Sequence, residues 1–113
     1  MTPKLIYVAG PFRGPNGWEI ERNVRRAEEL GYDVFRAGGM PIIPHANTRH
    51  FHGQGTDQFW LDGTLELARR CDALILTPDW SNSVGARSER MTVLEMGKPV
   101  FHTVADLAAW VGR

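Results

Sequence analysis

Tyr7, Arg13, Asp62, Asp79, Ser83 and Glu89 are the side chains whose types and positions suit chemistry. A carboxylate able to attack, a second carboxyl group able to hold a proton, a phenol and a cation are the parts needed to cleave a glycosidic bond beside a phosphate. The richest segment is 76–89, Leu-Thr-Pro-Asp-Trp-Ser-Asn-Ser-Val-Gly-Ala-Arg-Ser-Glu. The apolar run 73–77 reads as a buried strand, Pro78, Asn82 and Gly85 force an irregular turn, and a helical pattern begins near Gly85. A helix starting at the carboxyl end of a strand offers unpaired N–H groups to an anion. Glu89 is expected in its first turn or so, where the dipole helps to keep a carboxylate ionised, which suits a nucleophile better than an acid. Ser83 suits an N-cap, a role compatible with phosphate binding, and Asp79 suits the cap of a turn as well as a proton donor.

The elements that must position these groups are legible as periodicity. Segment 4–9, Lys-Leu-Ile-Tyr-Val-Ala, is a near-continuous apolar run ending at Gly10-Pro11, the pattern of a central strand covered on both faces. Over 18–37 the positions Ile20, Val24, Ala27, Leu30, Val34 and Ala37 recur at three and four, predicting a long helix closed by Gly38-Gly39. Segment 40–44 suits a strand near an edge, 45–56 a mobile loop over the crevice, and 57–71 a second helix with Leu61, Leu65 and Ala68 on one face. A third helix is expected to end at Gly97, a fourth strand to span 98–102 and a last helix 105–111. Strands alternating with helices predict a compact doubly wound α/β domain, Rossmann-like, with four parallel strands in the order 2-1-3-4 and helices on both faces. The helix from Asp62 descends roughly 14 Å and the following strand climbs back roughly 13 Å, which would set Asp62 beside the crevice.

The bulk properties bound the function classes. A chain of 113 residues predicts one domain, 1–113. Thirteen basic and thirteen acidic side chains cancel, which argues against a nucleic-acid polymer or an anionic membrane as partner. No apolar run approaches the roughly 20 residues of a membrane span, and no signal-peptide pattern opens the sequence, so the expected compartment is the cytoplasm. The single cysteine, Cys71, reads as a small buried apolar residue.

Order and spacing of motifs carry more than composition. Tyr7-Val8-Ala9-Gly10-Pro11 after the first strand, Asn23-Val24-Arg25-Arg26-Ala27 in the first helix, Ile43-Pro44-His45 after the second strand, Asp72 opening the third, Ser83-x-Gly85-x-x-x-Glu89, and Gly97-Lys98-Pro99-Val100 before the fourth together resemble the nucleoside 2-deoxyribosyltransferase superfamily, over nearly the whole chain. Trp80 and the run Ser83-Val84-Gly85-Ala86 look like small bacterial and phage members of that group. Tyr7-x-x-Gly10-x-x-Arg13-Gly14 and Ser83 resemble the branch of 2'-deoxynucleoside 5'-phosphate N-hydrolases, whose arginine loop and serine hold the substrate phosphate. The resemblance implies that Glu89 attacks the anomeric carbon, that Tyr7 positions nucleophile or sugar, and that water resolves the glycosyl-enzyme. It implies an aspartate on the second helix as proton donor, for which Asp62 is the nearest candidate and Asp79 the fallback. It also implies a small-molecule nucleotide as substrate, no cofactor, and a homodimer or higher homo-oligomer whose neighbouring subunit completes the site, with His102 and Thr103 near the relevant position.

Each residue has a plainer reading beside this one. Glu89 reads also as a solvated helix carboxylate, Tyr7 as a core aromatic, Arg13 and Asp62 as surface charges, and Arg87 and Arg90 as solvated charges that would add to phosphate binding if they faced it. His45, His50 and His52 lack the spacing of a metal site, and His45 better suits orienting a loop or meeting the base. Trp80 and Phe51 suit stacking on a base or core packing. The expected activity is N-glycosidase action on a nucleoside 5'-monophosphate, with deoxyribosyl transfer between bases and non-catalytic nucleotide binding as alternatives.

Overall fold

The computed structural model describes residues 2–51 and 53–112. Along the chain lie β1 (Leu5–Ala9), α1 (Gly17–Arg36), β2 (Met40–Ile42), α2 (Pro44–Asn47), α3 (Asp57–Arg69), β3 (Ala73–Leu76), a 3-10 turn (Trp80–Asn82), α4 (Val84–Glu95), β4 (Val100–Phe101) and α5 (Val104–Val111). The strands form one parallel sheet in the order β2-β1-β3-β4, with Tyr7 beside Ile42 on one flank and Leu74 on the other. This is the α/β architecture read from the sequence. Among the described residues no helix is long and apolar enough to cross a membrane.

Alternation along the two central strands sorts the core into two halves. Ile6, Val8, Ala73 and Ile75 pack with Ala27 and Val34 of α1 and Leu107 of α5. Tyr7, Ala9, Leu74 and Leu76 face the other way, against Ala68 of α3 and Ala86 and Val93 of α4. The phenol of Tyr7 is thereby committed to the α3/α4 side. The amino-terminal edge is tied by polar contacts: Asp72 Oδ2 accepts from Leu5 N at 2.7 Å, and Lys98 Nζ donates to the carbonyls of Arg69 and Cys71 at 2.5 and 2.7 Å. Lys98 thus satisfies carbonyls left open at the end of α3.

Asn16, Thr56, Ser83 and Thr103 each accept a backbone N–H at the start of a helix, 2.9 to 3.1 Å away, caps worth about 1 kcal/mol apiece. Gly10 follows β1 where the β1 and β3 chains approach closest; a Cβ there would lie 2.4 Å from Thr77 Oγ1 and 2.6 Å from its Cγ2. Only glycine lets the two loops leave the sheet side by side.

Two expectations are corrected. The second strand stops at Ile42, because Pro44, with its fixed φ, starts a one-turn helix at its first position. The segment expected as a loop from residue 45 therefore begins as helix and buries His45. The chain beyond it is fastened at both ends: Arg49 pairs with Glu21 and Glu28 of α1, and Trp60 Nε1 of α3 donates to Gln54 O at 2.5 Å. His52 lies outside the described residues.

Candidate active site

Glu89 and Tyr7 meet at the α3/α4 side of the sheet. The Tyr7 hydroxyl donates to Glu89 Oε2, and the side chains are almost out of solvent, with Tyr7 0% and Glu89 7% exposed. Thr64 of α3 stands beside both groups and favours their charged forms, while its hydroxyl donates to Leu61 O at 3.1 Å within the helix. Burial pushes the Glu89 carboxyl up from the ordinary 4.5 to about 7, against the pull of the Tyr7 hydrogen bond and the Thr64 hydroxyl, which favour the charged form. Tyr7 is raised well above the usual phenol value by burial first and by the Glu89 charge second.

This corrects the expected charge state of Glu89. It is the sixth residue of α4, in the second turn rather than the first, beyond the strongest part of the dipole. Desolvation outweighs the dipole. The carboxyl group is consequently poised near neutral pH, the range in which one group can serve as nucleophile, base or acid.

The loop after β1 is shaped by buried polar groups. His45 is 6% exposed, and its Nε2 lies 2.9 Å from Gly10 O and 3.1 Å from Pro11 O. Carbonyls only accept, so Nε2 carries the proton. Burial lowers the His45 pKa, opposed by those two bonds. Asn23 Nδ2, from the buried face of α1, donates to the carbonyls of Phe12 and Arg13 at 3.1 and 3.0 Å. His45 therefore orients the loop, and base contact is not what its bonds serve. Gly14 is also required for packing, since a Cβ would sit 2.7 Å from Glu19 Cβ. Arg13 itself, 70% exposed at its side chain, reaches Asp57 at 2.7 Å and not the pair.

The loop after β3 is likewise held. Asp79 Oδ1 accepts from Thr77 Oγ1 at 2.8 Å, and Oδ2 pairs with Arg26 Nη1 at 3.3 Å. Ser83 Oγ accepts from Ala86 N at 3.1 Å, the N-cap role. Gly85 has room for a side chain, the nearest atom to a built Cβ being Ser83 Oγ at 3.8 Å. Trp80 packs on the core beside Tyr7, with the guanidinium of Arg90 over its ring at 5.1 Å and the His102 ring edge-on at 5.9 Å.

Asp62 is not brought to the pair. It is exposed and accepts from Gln58 Nε2 at 2.6 Å along the outer face of α3. Thr64 is two residues on, about 200° around the helix, so when Thr64 faces Glu89 Asp62 faces away. The sequence reading missed Thr64, Asn23 as the loop anchor, and Arg26 as the clamp on Asp79. The signal for Thr64 was available, because Leu61, Thr64 and Ala68 share the apolar face of α3 by spacing alone.

Among the described residues no group of three or more histidine, cysteine, aspartate or glutamate side chains is placed to hold a metal. A shallow depression on the outside of α1, lined by Arg25, Glu28, Glu29, Tyr32 and Asp33, is on the opposite side of the sheet from Glu89. The phenol–carboxyl pair, enclosed between β1, α3 and α4, is the strongest candidate for chemistry among the described residues.

No curated protein matches this sequence. A family model described as Domain of unknown function (DUF7768) matches residues 4–103, a span that holds Tyr7, Thr64, the loops after β1 and β3, and Glu89. The chain belongs to that family.

Proposed function

We propose that this domain is an N-glycosidase of a nucleoside 5'-monophosphate, with Glu89 as the nucleophile. The observation that carries the reading is the buried Tyr7–Glu89 hydrogen bond on the α3/α4 face of a doubly wound sheet, supported by the motif resemblance. The ionised carboxylate attacks the anomeric carbon, the C1'–N bond breaks with its electron pair going to the base, and water then cleaves the glycosyl ester to release sugar phosphate and restore the carboxylate. Tyr7 holds the carboxylate oxygen in place. The departing base takes its proton from solvent in this reading, since Asp62 faces away and Asp79 is held by Arg26 and Thr77.

A homodimer is part of the same proposal. Val84, Met91 and Leu94, spaced three and seven along the outer face of α4, are 67%, 50% and 41% exposed, an apolar stripe of the kind that subunit contacts cover.

Chromatographic screening of monophosphates for base release tests the reading: turnover by the wild type and none by Glu89→Gln supports it. New nucleoside formed when a second base is added would instead mean transfer. The near-complete burial of Glu89, which a sugar would have to reach, favours a second reading, nucleotide binding without turnover; saturable binding with no base release, unchanged in Glu89→Gln, would establish it in place of catalysis.

A further inference from the structure

We propose that Arg90, seated on Trp80 at the carboxyl ends of β3 and β4, is the docking point for a phosphate group. Other cations near the loops have protein partners: Arg13, in the loop after β1, pairs with Asp57, and Arg26 of α1 pairs with Asp79 in the loop after β3. Arg49 is held by Glu21 and Glu28, and Arg87 donates to Ser81 O at 2.5 Å. Arg90 is different. Its Nε is buried with no hydrogen-bond partner, as are Arg49 Nε and His45 Nδ1, but unlike Arg49 its guanidinium has no carboxylate or carbonyl bonded to it among the described residues. Native structures rarely leave a buried donor unpaired, and an ordered water or a bound ion commonly accounts for one that is.

The setting fits an anion of tetrahedral oxygens. The guanidinium carbon lies 5.1 Å from the centre of the Trp80 ring, a cation–π contact that uses none of the N–H donors. Oxygen atoms 2.7 to 2.9 Å away are what such a fork recognises in pairs. His102, exposed directly after β4 and edge-on to the same indole at 5.9 Å, places an imidazole at the rim. Arg90 adjoins Glu89 in sequence, so a phosphate held here belongs to whatever occupies the crevice on the β3/β4 side. That the phosphate is the substrate's rests on the glycosidase reading; that Arg90 binds it does not.

The test is a titration of the full chain, labelled with ¹⁵N, with inorganic phosphate at constant ionic strength, following the arginine Nε–Hε resonances. The Arg90 signal, assigned by its loss in Arg90→Lys, is expected to shift saturably. Arg90→Lys keeps the charge and loses the planar fork, and is expected to weaken binding about tenfold, with Arg90→Gln abolishing it. A shift at Arg13 with none at Arg90, or shifts linear in phosphate at every arginine, would overturn the proposal. The wild-type titration decides even if a variant fails to fold. Base release without an Arg90 response removes the phosphate site and keeps the glycosidase; an Arg90 response without base release does the reverse.

Discussion

Replacing Glu89 with glutamine should make the protein more stable above pH 4.5, and increasingly so up to neutral pH. In the folded chain the carboxyl is raised from 4.5 to about 7. Below pH 4.5 it is protonated folded and unfolded, and contributes no pH dependence. As pH rises past 4.5 the unfolded chain ionises first, so wild-type stability falls until the folded group ionises near pH 7, and is level beyond. A separation of about 2.5 units at 1.36 kcal/mol each is about 3 kcal/mol. Glu89→Gln keeps an acceptor for Tyr7 without a charge to desolvate, so its stability relative to wild type should grow by about that amount from pH 4.5 to pH 8. For a domain this size that is a difference of roughly 10 °C in Tm. Urea unfolding of both proteins at half-unit intervals of pH measures it, and contributions common to both, such as the lowered His45 pKa, cancel in the difference. A gap independent of pH, or one that grows toward acid, would refute the argument that desolvation outweighs the helix dipole and hydrogen bonds at this carboxyl.

Other outcomes follow from particular contacts. Thr64→Val removes a hydroxyl that favours the charged carboxylate, so the Glu89 titration seen by ¹³C carboxyl resonance should move above about 7, with Thr64→Ser returning it; Asp62→Asn should leave that titration and any base release unchanged. Gly10→Ala forces a methyl within 2.4 Å of Thr77 Oγ1 and should destabilise by about 1–3 kcal/mol in denaturant titration, with partial recovery in the double variant carrying Thr77→Ala. Gly85→Ala meets open space inside α4 and should raise stability by up to about 1 kcal/mol, while lowering turnover if a ligand needs the approach to that backbone.

The layer order of the sheet was legible because β1 and β3 are uniformly apolar and α1 is strongly periodic, and those patterns admit few arrangements. The Tyr7–Glu89 meeting was legible too, since alternation sends Tyr7 to one face and the helix after β3 returns along that face. What sequence spacing did not reveal was angle. Asp62 and Thr64 differ by two positions, which is just over half a turn of helix, and the axial estimate that set Asp62 at the level of the crevice carried no information on which way it turned. Charge state was hidden for a similar reason: the dipole argument uses position along α4, whereas the carboxyl responds to the burial imposed by α3 and the sheet. Arg13 stood beside glycine in a loop that suits phosphate, but Asp57, far along the chain, takes it. Pro44 at the start of α2 marks helix as readily as it ends a strand, and the short apolar run before it concealed which.

The central claim is that Glu89 becomes covalently joined to a sugar. Intact-protein and peptide mass spectrometry after rapid acid quench, during turnover of whichever monophosphate releases base, tests it directly. The account predicts an added sugar-phosphate mass on the peptide containing Glu89, absent in Glu89→Gln; turnover with no adduct there, or an adduct on another residue, would contradict it.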